Sequence, residues 1–399
     1  MSDDSLSAEQ AAEFLGVSKA TLYSYVSRGM LTSRAVSPRS RKRVYHRGEL
    51  LALKHRAAFR TDPERAATEV IEFGIPILTT AISQITETEH SYRGISSREL
   101  SRRFSFEQVA QNQRTVEVHR QELPPAKAEW FDDIDLELLR RLDDTLTPIE
   151  RMQTILPALE HRNLHAFGSK ASLLVPSAVE LMLYLVYLST GRTLRESVSS
   201  TLAAAWGAER QRLETLLIVV SDHELNIATF TARCAASAGA TLYQSLMAGL
   251  ASLQGYRHLF GQVSEARAFF QEVIATGDPE AVVRRYLRQR GHLPGVHNPY
   301  RRLYTGPDPR VLTLMDNLSE ANLYPLLLET ARLAEMASHE HLRIDFALAV
   351  SEPVLGLPQD AIHSLIAIGR TAGIIAHVLE QFASDRVIRP RARYVGAAP

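Results

Sequence analysis

Four cations fall within five residues at Arg39, Arg41, Lys42 and Arg43, in the stretch SPRSRKR. Basic side chains clustered on one loop neutralise phosphates and release the counterions condensed on a polyanion. Two histidine pairs invite a metal reading, and neither sustains it. His161 and His165, in HRNLH, stand at i,i+4 and could share a helical face, but no nearby carboxylate or third ligand has familiar metal spacing. His339 and His341, in HEH, are two residues apart and would splay on a helix. Solvated or capping roles suit all four, and no metal is expected. Cys234, the only cysteine, lies in the apolar stretch TARCAAS and reads as packing.

The basic loop needs elements to carry it, and the sequence before it supplies them. SAEQAAEFLG opens with Ser7 as a helix N-cap and Gln10 at capping-box spacing. Ala11, Ala12 and Leu15 would line one face. Gly16 follows at a tight turn, where a positive φ costs glycine little. Ser18 then caps a second helix, KATLYSYVSRG, which small Ala11 and Ala12 let cross close by. A short helix, a glycine turn and a capped helix make a helix-turn-helix. In TSRAVSPRSRKRVYHRGEL a Ser-Pro-Arg-Ser turn joins two β-prone segments, giving a wing. RGELLALKHRAAFR reads as a further amphipathic helix. The pattern resembles the winged heads of MerR-type regulators. That resemblance implies that Ser18, Lys19, Thr21 and Ser24 face DNA bases or backbone, while Arg39, Arg41, Lys42 and Arg43 grip phosphates. A helical protein-docking module with a solvated basic loop is the alternative. DNA-binding heads of this kind act in pairs, so the rest of the chain is expected to supply a dimer.

Composition agrees with a basic head on an acidic body. Residues 1–60 carry 11 basic and 5 acidic side chains, and the remainder 34 basic and 40 acidic, so the net charge of zero hides an asymmetry. The 399 residues, 45% hydrophobic, can bury a large core in two or three domains. A single cysteine excludes an intrachain disulfide and fits a reducing, cytoplasmic setting. MSDDSLSAEQ lacks the apolar core of a secretory signal and the Arg-rich face of a transit peptide. The most apolar run, LLVPSAVELMLYLVYL, is interrupted by Pro176 and Glu180, and reads as a buried helix rather than a membrane span.

From residue 70 onward the apolar spacing is helical and strand alternation is scarce. TGDP, TGPDP and LPPA mark turns. Neither a phosphate-cradling glycine loop nor a dinucleotide fingerprint is present, so nucleotide hydrolysis and hydride transfer lack support. Ordered along this region are GIPILTTAISQITETEHSYRG, FSFEQVA, SDHELNIATFTARCAASAGA, GPDPR, IDFALA, GRTAGIIAHVLEQ and IRPRARYVG. Together they resemble the citrate synthase family over most of residues 70–399. The expected fold is mainly α: a winged helix-turn-helix at 1–60, a large all-helical domain from 70–258 and 351–399, and a smaller domain at 259–350. The resemblance also implies an intimate homodimer whose active sites draw on both subunits.

The family joins an acyl-CoA thioester, usually acetyl-CoA, to oxaloacetate. A thioester α-proton is very weakly acidic, so a carboxylate base needs a donor to stabilise the enolate as it forms. The substrate carboxylates call for planar, permanently charged guanidinium groups. By resemblance, Asp345 in RIDF is the base and His258 in LQGYRHLFG donates to the thioester carbonyl. His223 in SDHELN lies near the oxaloacetate carboxylate. Arg310, Arg370 and Arg389 bind carboxylates, Arg389 from across the dimer. No permanently bound cofactor is implied; acyl-CoA is a cosubstrate. LRQRGHL could steer coenzyme A phosphates or form a solvated basic face.

Two departures from the family pattern stand out. The family surrounds the thioester histidine as Gly-Pro-x-His-Gly-Gly, where this chain has Gly255-Tyr256-Arg257-His258-Leu259-Phe260. Its ketone-polarising histidine falls in a Pro-Gly-x-Gly-His loop before Asp-Pro-Arg. Counting back from Asp308-Pro309-Arg310 places Arg301 there; counting forward from Pro294-Gly295 places His297 nearby, in a loop about three residues longer, which surface chains tolerate. Three readings remain open: a condensing enzyme with a DNA-binding head, a regulator whose body kept the ligand pocket without turnover, and a synthase with a docking module.

Overall fold

The computed structural model describes residues 5–35, 42–46, 49–50, 53–54, 78–86, 88–114, 137, 139, 141–143, 145–168, 171–194, 196–296, 306–384, 386–392 and 395–396. Two compact units divide the chain, residues 1–79 and 80–399.

The first unit follows its turn chemistry. Strand β1 (Ser5–Ser7) leads directly into helix α1 (Ala8–Leu15). Ser7 accepts the Gln10 N–H while the Gln10 side chain accepts the Ser7 N–H, a complete capping box. Gly16 ends α1 at φ 66°, its N–H reaching back to Ala12 O and Glu13 O. Helix α2 (Lys19–Ser27) starts from Ser18, whose hydroxyl accepts the Thr21 N–H. Strands β2 (Arg34–Ala35) and β3 (Arg43–His46) pair antiparallel, as expected of a wing, and β1 pairs with the other edge of β3. The strand at residues 5–7 was not legible in the sequence. Three residues carry too little alternation to signal a strand, and β1 exists through its pairing of Leu6 with Tyr45. Tyr45, Leu22, Ala11, Leu31 and Leu50 form the small core. The wing tip, with Arg39 and Arg41, and most of the third helix lie outside the described residues.

The second unit begins with a three-stranded antiparallel sheet: β4 (Ser83–Ile85), β5 (His90–Tyr92) and β6 (Ile95–Ser96). Fourteen helices follow among the described residues: α3 (Ser97–Arg103), α4 (Phe106–Arg114), α5 (Pro148–Arg162), α6 (Ala171–Thr190), α7 (Val198–Trp206), α8 (Arg210–Val220), α9 (Ile227–Ser237), α10 (Leu242–Leu253), α11 (Leu259–Thr276), α12 (Pro279–Arg290), α13 (Pro309–Leu318), α14 (Tyr324–Ser338), α15 (Ile344–Val354) and α16 (Ala361–Ser384). Side-chain caps start many of them. Thr147 with Glu150 and Thr241 with Gln244 form capping boxes, and Asp278 and Asp308 cap helices that begin with proline.

Helix α16 is the axle of this unit. It is long and apolar enough to cross a membrane, yet 94% of its most apolar window is buried inside the protein. The apolar run of α6 is likewise a core helix, with Leu174, Leu181, Leu185 and Val186 buried. On α16, Gly369 and Gly373 stand one turn apart and face the end of α8. A Cβ on Gly373 would lie 2.2 Å from Ser221 O and 2.6 Å from Asp222 Oδ1; one on Gly369 would lie 2.5 Å from Val220 Cγ2. Only hydrogen at these positions lets the two helices close, and that closure brings Arg370 and His377 to Asp222.

Candidate functional site

Six residues between α8 and α9, Ser221 to Asn226, form the floor of the site. Tyr92 of β5 holds this turn from below: its hydroxyl donates to Ile218 O at 2.9 Å and accepts the Asp222 N–H at 3.2 Å. Asp222 is fully buried and satisfied by Ser83 Oγ (2.5 Å), His377 Nε2 (3.1 Å) and Arg370 Nη1 (3.2 Å). Burial alone would raise its carboxyl; the His377 and Arg370 contacts outweigh it and hold the group below the usual carboxylate range. Glu224 takes a left-handed conformation, φ 51°, and Asn226 caps α9 through Oδ1. A non-glycine residue held there is strained, and its N–H is anchored on Ser83 Oγ at 3.0 Å. His223, between these fixed points, stays half-buried and neutral. Burial is the main cause, followed by the positive charges of Arg310 and Arg370.

Both arginines of the site are buried and enter from helices. Arg310 follows the cap and proline of α13. It grips its own cap residue, Asp308, with Nε–Oδ1 at 3.0 Å and Nη2–Oδ2 at 2.6 Å. Arg370, mid-way along α16, binds Asp222 and donates Nη2 to Thr229 Oγ1, while its Nε has no protein hydrogen-bond partner.

His258 is the N-cap residue of α11 but makes no side-chain cap. Its buried Nε2 has no hydrogen-bond partner in the protein. Burial, then the positive charge of Arg370, holds its pKa down to about 4, so the ring is neutral near pH 7. Asp345 is the second residue of α15, only 1% exposed, and neither carboxylate oxygen makes a hydrogen bond to another side chain. Arg343 Nε lies 3.4 Å from Oδ1 as an ion pair without hydrogen-bond geometry. Burial raises the Asp345 pKa above the ordinary carboxylate value; Arg343 works against that shift and Asp308 adds to it. Two oxygens of a buried carboxylate left this way are costly and therefore informative.

These side chains act on one another electrostatically. Asp345 senses Asp308 and Arg310; His223 senses Arg310, Arg370 and His258; His258 senses Arg370. Asp345, His258, His223, Arg310 and Arg370 are linked in this way, although the α8–α9 turn, α11, α13, α15 and α16 supply them from distant parts of the sequence. Arg389 does not join them within the chain: it is exposed on the extended segment after α16. His297 and Arg301 lie outside the described residues. Of the two glycine replacements, Leu259 is half-buried against the core and Phe260 is buried edge-on to His363, while Tyr256, at the family's proline position, is 75% exposed with Arg257 against its ring.

In the first unit, the N-terminal end of α2 presents Lys19 and Ala20 to solvent, and Tyr23 is half exposed one turn on. Ser18 is taken up in capping, its hydroxyl also 2.9 Å from Thr21 Oγ1, and Lys19 pairs with Glu9. Ser24 is half-buried. On the wing, Lys42 and Arg43 are exposed, Arg43 reaching Ser33 O and Oγ. Histidines 161, 165, 339 and 341 are exposed, and no group of metal-ligating side chains forms among the described residues.

A family profile described as the citrate synthase C-terminal domain matches residues 73–391. The chain belongs to the citrate synthase family. A helix-turn-helix domain profile matches residues 5–57, so this citrate synthase family protein carries a helix-turn-helix domain ahead of its family body. Among curated relatives, citrate synthase 2 of Bacillus subtilis is 26% identical over 363 residues, covering 83% of this chain and 96% of that protein. The citrate/2-methylcitrate synthase of the same organism is 29% identical over 250 residues, which span 60% of this chain and 63% of the relative. The fold matches a ternary complex of Thermoplasma acidophilum citrate synthase with carboxymethyl coenzyme A and oxaloacetate. There the TM-score is 0.68 and identity 20%, with 82% of this chain and 95% of that one covered. Citrate synthase from Thermotoga maritima gives a TM-score of 0.64 at 21% identity, with 82% and 95% covered.

The sequence reading overlooked three members of this cluster. Asp222 and His377 lay inside the motifs SDHELN and GRTAGIIAHVLEQ, but nothing local says that they meet. His90, in EHSYRG, lay at the end of the recognised segment GIPILTTAISQITETEHSYRG. Its signal was a histidine beside a tyrosine and an arginine at the start of the family-like region.

Proposed function

We propose that this citrate synthase family protein condenses acetyl-CoA, or a related acyl-CoA, with oxaloacetate or a similar 2-oxo acid. The observation that carries the reading is the buried carboxylate of Asp345, without a hydrogen-bond partner, in the same charged cluster as the orphaned Nε2 of His258. Asp345 removes a proton from the carbon next to the thioester carbonyl. A raised pKa makes it a stronger base than an ordinary aspartate. His258, neutral, donates Nε2–H to the thioester oxygen as negative charge gathers there. The enolate carbon attacks the ketone carbon of the 2-oxo acid, forming a C–C bond, and the ketone oxygen takes up a proton. Water then cleaves the thioester and coenzyme A leaves as the thiol. His223, Arg310 and Arg370 hold the acid's carboxylates. For that, Arg310 exchanges one carboxylate for another, since Asp308 already occupies the geometry a substrate would use. His297 or Arg301 polarises the ketone. Arg389 completes the pocket from the second subunit of a homodimer, a role that fits its exposure here.

The head, in this reading, binds double-stranded DNA in the manner of MerR-type heads, through α2 and the cations of the wing, with the dimer supplying its two-fold partner. The helix-turn-helix domain also favours a second reading, a regulator that senses a tricarboxylate or acyl-CoA without turnover. Such a sensor requires that the ligand bind one conformation better than the other. Release of free coenzyme A from acetyl-CoA and oxaloacetate by the purified full chain supports the enzyme. Tight calorimetric binding of oxaloacetate or citrate, with no coenzyme A released from any of several 2-oxo acids, supports the sensor. DNA affinity that falls steeply with salt, and more gently in Arg41→Ala/Arg43→Ala, supports the DNA-binding role.

A further inference from the structure

His90 sits on β5 with no exposed surface, in a unit where most polar groups are paired. Its Nδ1 lies 3.2 Å from Ser97 Oγ, and its buried Nε2 has no hydrogen-bond partner in the protein. The ring is edge-on to Tyr92 at 4.9 Å, which fixes it from one side, and 5.7 Å from the ring of His223 on another. The charges acting on it are those of the carboxylate-handling cluster: Arg310, Asp308, Asp222 and Arg370. Burial, with the two arginines reinforcing it, depresses its pKa to about 3, so the ring stays neutral whatever the acid nearby. Leaving one nitrogen of a buried imidazole unsatisfied costs on the order of 1–3 kcal/mol. A purely structural role would be served as well by an apolar side chain. The strand does not otherwise demand histidine, because Ser97 and the backbone pairing of β5 with β4 and β6 persist without it.

We infer that His90 is a substrate-contacting, specificity-determining residue that hydrogen-bonds an oxygen of the 2-oxo acid through Nε2, beside His223. The inference rests on the proposed function of the site and extends it to a residue to which the family resemblance gave no role. With the Ser97 hydroxyl donating to Nδ1, the proton resides on Nε2, and a neutral donor faces an anionic ligand. The two imidazoles together then read the acid end of the substrate, while His258 reads the thioester.

Two isosteric replacements separate this from a structural role. Glutamine places its amide nitrogen near the position of Nε2; asparagine places its own near Nδ1 and keeps only the Ser97 contact. In calorimetric titrations of the full chain with oxaloacetate, His90→Asn and His90→Leu weaken binding about tenfold or more, and His90→Gln stays within about threefold of the parent. In coenzyme A release assays the KM for oxaloacetate follows the same order, while the KM for acetyl-CoA changes less than about twofold. The Asn and Gln pair decides the matter even if His90→Leu does not fold. The inference is overturned if Asn binds as well as Gln, or if all variants match the parent. A parent protein that binds neither oxaloacetate nor citrate removes the proposed function itself, and is seen before any variant is made. A parent that binds without turnover removes the enzyme reading and leaves the His90 test intact.

Discussion

The two units treat polar groups in opposite ways. In the helix-turn-helix unit the polar side chains that fix the fold are close to water and answered locally: Ser7 with Gln10, Ser18 with Thr21, Thr32 with Glu49. In the body, polar groups are carried deep inside and several are left unanswered. Every buried side-chain polar atom without a protein hydrogen bond, among the described residues, belongs to the body. Six of the ten lie on Asp345, His258, His90, Arg370 and His377, all in or against one cluster. Stability asks that buried polar groups be paired. A concentration of exceptions in one place marks where the molecule is built around something other than itself. In the proposed function the head reads DNA with its surface and the body receives its substrates in its interior.

That contrast can be broken most forcefully at Asp345. Replacement by asparagine keeps the shape and removes the base, so kcat is expected to fall by about a thousandfold or more while oxaloacetate still binds in calorimetry. Unchanged turnover would take the base away from Asp345. The same residue sets a pH dependence. Because its pKa is raised, the working carboxylate form is lost as pH falls through a value above the usual ~3.9 of aspartate, and the acid limb of kcat/KM should lie above that value. His258, held at about 4, is neutral near pH 7 and adds no limb near neutrality.

Arg310→Ala comes next. It leaves Asp308 buried without its bidentate partner, and loss of about 3 kcal/mol of stability is expected in denaturant unfolding, with oxaloacetate affinity lost as well. Gly373→Ala should cost about 1–3 kcal/mol, since its methyl meets Ser221 O and Asp222 in a helix contact that has no room to open. Activity should fall with it, because Asp222 anchors Arg370. The smallest effect belongs to the head. Ser7→Ala removes one half of a capping box and should lower the stability of that unit by ~1 kcal/mol without changing turnover in the body.

Much of this was legible beforehand, for reasons that differ by scale. Caps and turns are local, so Ser7, Gln10, Gly16 and Ser18 announced the first two helices. Helical spacing of apolar residues announced the body, and motif order announced its family. The short strands were not legible: β4, β5 and β6 are two or three residues long, too short for alternation to show, and β1 exists through pairing with β3, far along the chain. For the same reason the network of Asp222, Arg370 and His377 escaped notice, since its members meet across some 150 positions of chain. On α2, Ser18 starts the helix as its position suggested, while Tyr23, which the sequence reading passed over, is 52% exposed.

A crystal structure of the full chain with oxaloacetate and a non-reactive acyl-CoA analogue tests the central claim most directly. The account predicts the acid's carboxylates on Arg310, Arg370 and His223. It places the carbon next to the thioester carbonyl about 3–3.5 Å from an Asp345 oxygen, with the carbonyl oxygen at His258 Nε2. Ligands bound elsewhere, with Asp345 still enclosed by protein on every side, would contradict it.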